Sequence, residues 1–387
     1  MHGESGNSSD TFHLTSTQRA QLRATGEAFS SARTLPSWAF TDDSLFTLEL
    51  RDLLSQGWFC VGHQSDFAPG EVRRVDLGDH SVLLSRARDG ALRAFRNVCR
   101  HRGTRLLSES SSCGHLLVCP YHGWSYELDG TLRAAPGMEA VSGFDRSDHP
   151  LTAVELDCWN GLVFIKLGGT ALSLDETFGD FPALGPDIAS LSIAGREQYQ
   201  VSANWKLLGD NFNECYHCAG VHRRLHQLTG PASGTSRQAR GAAFTGGPMM
   251  LRPGHNTMCS SGSTARPPLA GWPPNDTGLV HYYHLFPNAF LSLVPDYVML
   301  HLLSPLSVDR VAVETLWLFQ ADEMQSAGFD ASEVISFWDE TNRQDWALCE
   351  TAQLGHRDGS FDGGCYHPAE KCVHDFDRWY AGWLASR

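Results

Sequence analysis

The chain has 387 residues, 42% of them hydrophobic and 19% charged, and a formal net charge of −14. That balance describes a soluble globular protein of two domains, and it excludes nucleic acid and anionic membrane surfaces as partners, since both ask for a basic face. No run of about 18 apolar residues is present to span a membrane. No apolar core precedes a small-residue cleavage site near the start, so the eleven cysteines are expected as reduced thiols of a cytoplasmic protein.

In chain order, residues 1–33 read as a polar tail with a short helix over 16–28. Asp42, Asp43 and Ser44 then offer N-cap chemistry ahead of Leu45, Leu48, Leu50, Leu53 and Leu54, which predicts an amphipathic helix. From 57 to 167 the pattern changes to short strand-like runs, with Asp89-Gly90 and Asp129-Gly130 between them as hairpin signals. The expectation is a small antiparallel β domain over 34–168 that ends at Gly168-Gly169.

Within it lies NVCRHRGTRLLSESSSCGHLLVCPYHGW, residues 97–124. Cys99-x-His101 forms one arm and Cys119-x-x-His122 the other, with seventeen residues between them. Gly103 and Gly123 follow the arms, where the backbone must turn tightly. Zinc accepts two Cys and two His, but such zinc sites usually place both thiolates on one arm and both imidazoles on the other. Here each arm is mixed. A Rieske [2Fe–2S] cluster has two Cys on one iron and two His on the other, and two mixed arms reaching across it satisfy that requirement. The loops are expected at hairpin tips.

A helix-leaning connector over 175–191 and a strand-like QYQVSANW lead to DNFNECYHCAGVH, residues 210–222. Glu214 and His217 are three apart and share a face if the segment is helical. His217 and His222 are five apart and converge only if the helix opens, by a π-type turn or an ending at Gly220. Two imidazoles need one carboxylate to form a facial triad on non-haem Fe(II). Glu214 is one candidate. The other is Asp345, on a helix expected over 331–354, capped by Asp330 with Glu333 in a capping box and ended by Gly355. Its buried stripe is expected through Val334, Trp338, Thr341, Asp345, Leu348 and Ala352. A carboxylate on such a stripe needs a cation: a metal, or an arginine such as Arg343. Residues 229–278, rich in Gly, Pro and Ser, read as a loop covering the site, with a surface excursion of no functional role as the alternative. Residues 279–320 read as antiparallel strands in which His281, His284 and His301 are ordinary sheet residues. A closing helix is expected over 370–384. Cys215 and Cys218 form a CxxC without a thioredoxin-like role.

The run Cys119-Pro-Tyr-His-Gly-Trp124, the Glu214-Cys-Tyr-His217…His222 segment and Asp345-Trp-Ala-Leu-Cys-Glu350 together resemble the Rieske non-haem iron, or ring-hydroxylating, oxygenase family over roughly 35–385. The resemblance implies an α+β fold, with the β domain holding the cluster and a helix-on-antiparallel-sheet catalytic domain over 169–387. It implies a [2Fe–2S] cluster on Cys99, His101, Cys119 and His122, and mononuclear Fe(II) on His217, His222 and Asp345. Glu214 then matches the acidic residue that links this iron to a neighbouring subunit's cluster through His101 or His122, within a homotrimer. O2 and a separate ferredoxin or flavin-containing reductase are the implied partners, because nothing in the chain resembles a nicotinamide or flavin domain.

Glu rather than Asp at 214, together with residues 295–299 and 35–58, resembles the branch acting on quaternary ammonium compounds such as glycine betaine, choline, carnitine and stachydrine. The expected reaction is hydroxylation of an N-methyl group that leaves as formaldehyde. Phe212, Phe290, Tyr297 and Trp338 are the aromatics available to face a cation. Mono- or dihydroxylation of an aromatic or secondary-metabolite ring is the alternative. A Rieske electron-transfer protein without catalysis is the alternative of another class, and it requires the second motif to be a coincidence.

Overall fold

The computed structural model describes residues 12–169, 172–182, 185–230, 239–276 and 278–387. The expected ragged start (1–11) and part of the expected cover loop (231–238 and 277) lie outside them. Strands β1 (Phe59–His63), β2 (Glu71–Leu77), β3 (His80–Arg86), β4 (Leu92–Arg96) and β5 (Ser111–Cys113) come first. They are followed by β6 (Leu116–Val118), β7 (Ser125–Glu127), β8 (Leu132–Ala134), β9 (Ala153–Trp159) and β10 (Leu162–Lys166). Seven of them pair antiparallel in the order β1-β10-β9-β4-β3-β2-β5, and β6-β7-β8 form a small separate sheet. Asp89-Gly90 joins β3 to β4 and Asp129-Gly130 joins β7 to β8, as the turn signals predict. Gly130 has φ +87°, and a Cβ there would stand 2.4 Å from the Phe95 ring, so only glycine fits.

The second sheet contains β11 (Leu191–Val201), β12 (Ala239–Arg240), β13 (Phe244–Met250), β14 (Leu279–Leu285), β15 (Ala289–Val294), β16 (Tyr297–Ser307) and β17 (Arg310–Gln320). Their order is β11-β17-β16-β15-β14-β13-β12. The expected loop over 229–278 is therefore not wholly irregular, because β13 adds to the sheet along β14. Its Gly246-Gly247 pair hides a strand from composition alone. β15 to β17 are apolar at both parities because both faces are covered. Leu291, Leu293, Val298, Leu300, Leu316 and Leu318 meet Trp58, Phe164 and Phe178 on one side. Tyr297, Met299, Trp317 and Phe319 meet Val334, Phe337 and Trp338 of a long helix on the other.

That helix runs Ser332–Asp358. Asp330 accepts from the Ser332 backbone N–H at 2.8 Å, but the expected capping box is absent, since Glu333 accepts from Ser261 N instead. The helix passes through Gly355 and ends at Gly359, where φ is +77°. Its buried stripe follows Val334, Trp338 and Thr341 as expected, then continues from Asn342 through Trp346, Cys349 and Gln353, one residue on from the expected positions. Leu348 and Ala352 are consequently exposed.

A second helix, Trp205–Phe212, starts at Asn204, whose side chain accepts from Lys206 N at 3.1 Å. It is anchored by a buried ion pair, Lys206 Nζ to Glu49 Oε1 at 2.6 Å. Trp205 Nε1 donates to the other Glu49 oxygen at 2.9 Å and the Tyr380 hydroxyl donates to the first. Glu49 opens a π-helical turn, Glu49–Leu54, that continues the expected helix Asp43–Leu48. One carboxylate thus ties the Glu49–Leu54 turn and the C-terminal helix to the start of the catalytic motif. The polar N-terminal segment is not a free tail either. Its helix Ser16–Thr25 packs on the C-terminal helix Lys371–Ala385, and Thr34 N donates to Gly364 O. No helix among the described residues is long and apolar enough to cross a membrane.

Candidate metal centres

The two Cys–His arms fold as near copies. In the first, Cys99 N donates to Thr104 O at 2.8 Å and Gly103 N to Cys99 O at 3.1 Å. In the second, Cys119 N donates to Trp124 O at 2.7 Å and Gly123 N to Cys119 O at 3.1 Å. Gly103 and Gly123 take φ of +76° and +70°, which closes each loop. The second arm is the tip of the β6–β7 hairpin, as expected. The first is not at a hairpin tip: it follows β4, whose sheet partners are β3 and β9.

Both thiols are buried, and the His101 and His122 rings lie 4.6 Å apart between centroids. His101 Nδ1 is buried with no hydrogen-bond partner among the described residues. Such an orphaned lone pair is costly, and a metal on that side would use it. The Tyr126 hydroxyl meets Cys99 Sγ at 3.4 Å, a contact that adjusts a thiolate ligand from outside. These four residues would hold a [2Fe–2S] cluster, and Val118, Tyr121 and Val98 are exposed on the surface around the two loops.

The second motif is built by interrupting a helix. Trp205–Phe212 stops at Asn213, so Glu214 and His217 do not share a helix face as expected. They share a turn instead, in which Glu214 Oε2 accepts from the backbone N–H groups of Tyr216 and His217. A short helix, Cys218–Val221, follows. The chain breaks at His222 itself (φ −104°, ψ 77°), not at Gly220, before Arg223–Leu228 resumes. This break brings the two imidazoles together.

His217 Nε2 lies 3.1 Å from His222 Nε2, and Asp345 Oδ1 lies 3.2 Å and 2.9 Å from them respectively. Ligands meeting at right angles on a metal with bonds of about 2.1 Å are separated by about 3.0 Å, so the spacing is that of one face of a coordination shell. Each ring is also oriented from behind. His217 Nδ1 faces Glu214 Oε1 at 2.5 Å and His222 Nδ1 faces Gln344 Oε1 at 2.7 Å. Both partners are acceptors, so Nδ1 carries the hydrogen and Nε2 presents its lone pair inward. Desolvation opposes protonation at His217, yet donation to the Asp345 and Glu214 carboxylates raises its imidazole to about 10. The site therefore holds either a proton or a cation. Arg343 pairs with Asp339 at 2.9 Å and leaves Asp345 to the histidines.

Cys218 Sγ also lies within 4.8 Å of the two ring nitrogens, but it is joined to Cys215 in a disulfide. This corrects the expectation of reduced thiols throughout: the three-residue spacing brings the two Cα atoms to 4.9 Å, within bridging range. Cys158 and Cys365 are free and exposed.

These residues line a cavity of about 700 Å³, the size of a small-molecule site. Phe212 and Trp338 are on its wall as expected. Phe290 and Tyr297 are not. Phe290 is fully buried behind Phe212, stacked at 4.3 Å. Tyr297 is buried at the start of β16, where its hydroxyl donates to Met258 O and accepts from Trp338 Nε1, both at 2.6 Å. It orients Trp338 without reaching the cavity. Tyr282, Ser292 and Asn342 are wall residues with no signal in the sequence, and Met299, His301 and Trp346, none of them expected at the cavity, also line it. His301 is thus more than a sheet residue, and burial lowers it to about 4, so it is neutral. His284 does stay structural, lowered to about 3 by burial and bonded to Asn213 and Pro287 O. Neither Lys nor Arg lines the cavity among the described residues.

Comparison with known proteins agrees with both centres. Residues 57–145 match the Rieske [2Fe-2S] domain and residues 188–386 the ring hydroxylating alpha subunit (catalytic domain). The oxygenase subunit of glycine betaine monooxygenase from Chromohalobacter salexigens is 31% identical over 389 residues, covering 91% of this chain and 86% of that one. The carnitine monooxygenase oxygenase subunit of Escherichia coli K12 is 38% identical over 200 residues, 49% of this chain and 52% of that one. Among solved structures, a quaternary ammonium Rieske monooxygenase superposes with TM-score 0.77 at 21% identity, covering 97% of this chain and 99% of that one. Naphthalene 1,2-dioxygenase from a Rhodococcus species does so with 0.75 at 18%, covering 96% and 98%. These two structures share the fold. A Rieske domain, a catalytic domain of the type that carries mononuclear iron, and similarity along most of the chain make this protein a member of the ring-hydroxylating oxygenase alpha-subunit family, an oxidoreductase that uses O2 and electrons from a separate reductase or ferredoxin.

Proposed function

We propose that this chain is the terminal oxygenase of a quaternary ammonium N-demethylase, with mononuclear iron on His217, His222 and Asp345 and the cluster on Cys99, His101, Cys119 and His122. The observation that carries the iron assignment is the set of three inward-facing donor atoms 2.9–3.2 Å apart, with both imidazoles held from behind. The division falls at Gly168-Gly169, with the Rieske domain over 34–168 and the catalytic domain over 169–387. When bound, the cluster supplies single electrons and the iron supplies O2 activation. The chain's own groups do the rest. Glu214 holds the proton on His217 Nδ1, and Gln344 holds that on His222 Nδ1. Phe212, Tyr282, Trp338 and Trp346 give the cavity aromatic faces, which suit a methylated cation. No Lys or Arg among the described lining residues opposes it.

The balanced reaction takes one O2, two electrons and two protons. It converts an N–CH3 to N–CH2OH and releases water. The N–CH2OH carbon–nitrogen bond then breaks to give formaldehyde, the demethylated amine and a proton. The curated relatives carry the names glycine betaine and carnitine monooxygenase, and a further one is an N,N-dimethyl phenylurea N-demethylase from Sphingobium, 30% identical over 232 residues. We further propose a cytoplasmic homotrimer in which Glu214 of one subunit meets the cluster of the next. Two exposed apolar surfaces support it, one with Val118 and Tyr121 beside the cluster loops and one with Tyr216 beside Glu214. Light scattering that gives a monomer under turnover conditions would remove that assembly.

The test is formaldehyde release with a surrogate reductase across glycine betaine, choline, carnitine and proline betaine. Formaldehyde formed in step with loss of one ammonium compound is expected. None from any of them, with both metal centres loaded, would favour ring hydroxylation.

A further inference from the structure

The cavity floor carries polar groups that the metal centres leave unused. Tyr282, Ser292 and Met299 are cross-strand neighbours on β14, β15 and β16, and His301 lies on the same face two residues along β16. Ser292 is fully buried and His301 is 98% buried, yet Ser292 Oγ and His301 Nδ1 have no hydrogen-bond partner among the described residues. Both residues line the cavity. Two orphaned polar atoms on one floor are costly unless water or a ligand completes them.

The direction of the His301 hydrogen bond is set by a chain of contacts behind it. The Tyr199 hydroxyl donates to Asp339 Oδ1 at 2.9 Å, so its oxygen is left as an acceptor. Asn342 Nδ2 points at that oxygen at 3.5 Å, which turns Asn342 Oδ1 toward His301 Nε2 at 3.2 Å. Nε2 therefore carries the hydrogen, and Nδ1 offers a lone pair to the cavity. A carboxylate placed there would face that lone pair with no Lys or Arg among the described lining residues to balance it. An O–H or N–H group would satisfy it, and Ser292 Oγ can accept from or donate to the same group.

We infer that Ser292 and His301 form a specificity subsite that takes a hydrogen-bond donor of the substrate, an alcohol O–H or an N–H, and rejects a carboxylate. Combined with the ammonium reading above, on which this part rests, the substrate is a methylated ammonium compound bearing a hydroxyl. Glycine betaine, which has a carboxylate and no donor, is then a poor ligand.

Calorimetry on the anaerobic holoenzyme tests this with two matched pairs. The cationic pair is choline and its O-methyl ether, and the neutral pair is indole and N-methylindole. Glycine betaine is a fifth ligand. Choline should bind roughly ten- to a hundred-fold tighter than its ether, the discrimination expected when a buried acceptor is left unpaired. Ser292→Ala and His301→Leu should each collapse that ratio while keeping the affinity for the ether, a result that general damage to the fold would not give. Equal binding of choline and its ether, or tighter binding of glycine betaine than choline, overturns the subsite. Discrimination within the neutral pair alone, with no ammonium ligand bound, keeps the subsite and overturns the ammonium reading. A cavity that binds none of the five overturns both.

Discussion

Gln344 gives a sharp test of the mononuclear site, because it touches a proposed ligand and not the metal. Its Oε1 accepts from His222 Nδ1 at 2.7 Å, on a ring that is 2% exposed. In Gln344→Ala the Nδ1–H loses its acceptor in a place water does not readily reach, at a cost of about 1–3 kcal/mol. The imidazole also becomes free to rotate or to move its hydrogen to Nε2, where the metal lone pair must be. Outer partners of this kind typically contribute 10- to 100-fold in metal affinity, about 1.4–2.7 kcal/mol. Gln344→Ala should therefore release mononuclear iron to a competing chelator at ten-fold lower chelator concentration or below, while the visible absorption of the cluster is unchanged. Gln344→Glu retains an acceptor and should keep most of the affinity. If Gln344→Ala holds its iron as tightly as the parent, His222 is not oriented in this way and the ligand assignment loses its support.

Other outcomes follow from buried charge. Glu49→Ala leaves the Lys206 ammonium buried without its partner and should cost about 3–5 kcal/mol in urea unfolding; a change under 1 kcal/mol would contradict the anchoring role. Burial lowers His284 to about 3 and His301 to about 4 in the folded chain, against about 6.5 when unfolded. Below pH 6.5 the unfolded chain takes up protons at these two histidines that the folded one refuses, so their contribution to stability is full above that pH and falls as pH drops toward 4. For His301 alone the loss approaches about 3 kcal/mol. Because buried Asp210 and Asp377, both raised by desolvation, act in the opposite sense, the test is the difference in unfolding free energy between the parent and His301→Leu, and a difference that stays constant from pH 7 to 5 would contradict this.

Most of the chemistry was legible in the sequence because it is local. Cys99, His101, Cys119 and His122 sit on two short loops whose spacing and glycines are visible in one line of sequence. His217 and His222 are close enough in sequence to suggest a break between them, although its position at His222 depends on backbone angles that composition does not encode. Asp345 was found because a carboxylate is conspicuous on an otherwise apolar stripe. The stripe itself was misplaced in its second half, where a drift of one residue over several turns exchanged Leu348 for Cys349. What could not be read depends on which face of a strand is covered. Phe290 and Ser292 share a face of β15, yet Phe212 screens the first and the cavity reaches the second. Glu49 and Gln344 look like surface residues in the sequence, and only tertiary contacts with Lys206 and His222 give them their roles.

The central claim is that one iron beyond the cluster is held by His217, His222 and Asp345. Iron and acid-labile sulfide analysis of the purified parent and Asp345→Ala tests it most directly. Three irons and two sulfides per chain are expected in the parent. Two irons and two sulfides are expected in Asp345→Ala, with the reduced-cluster paramagnetic signal intact and turnover abolished. An Asp345→Ala chain that keeps its third iron and its turnover would contradict it.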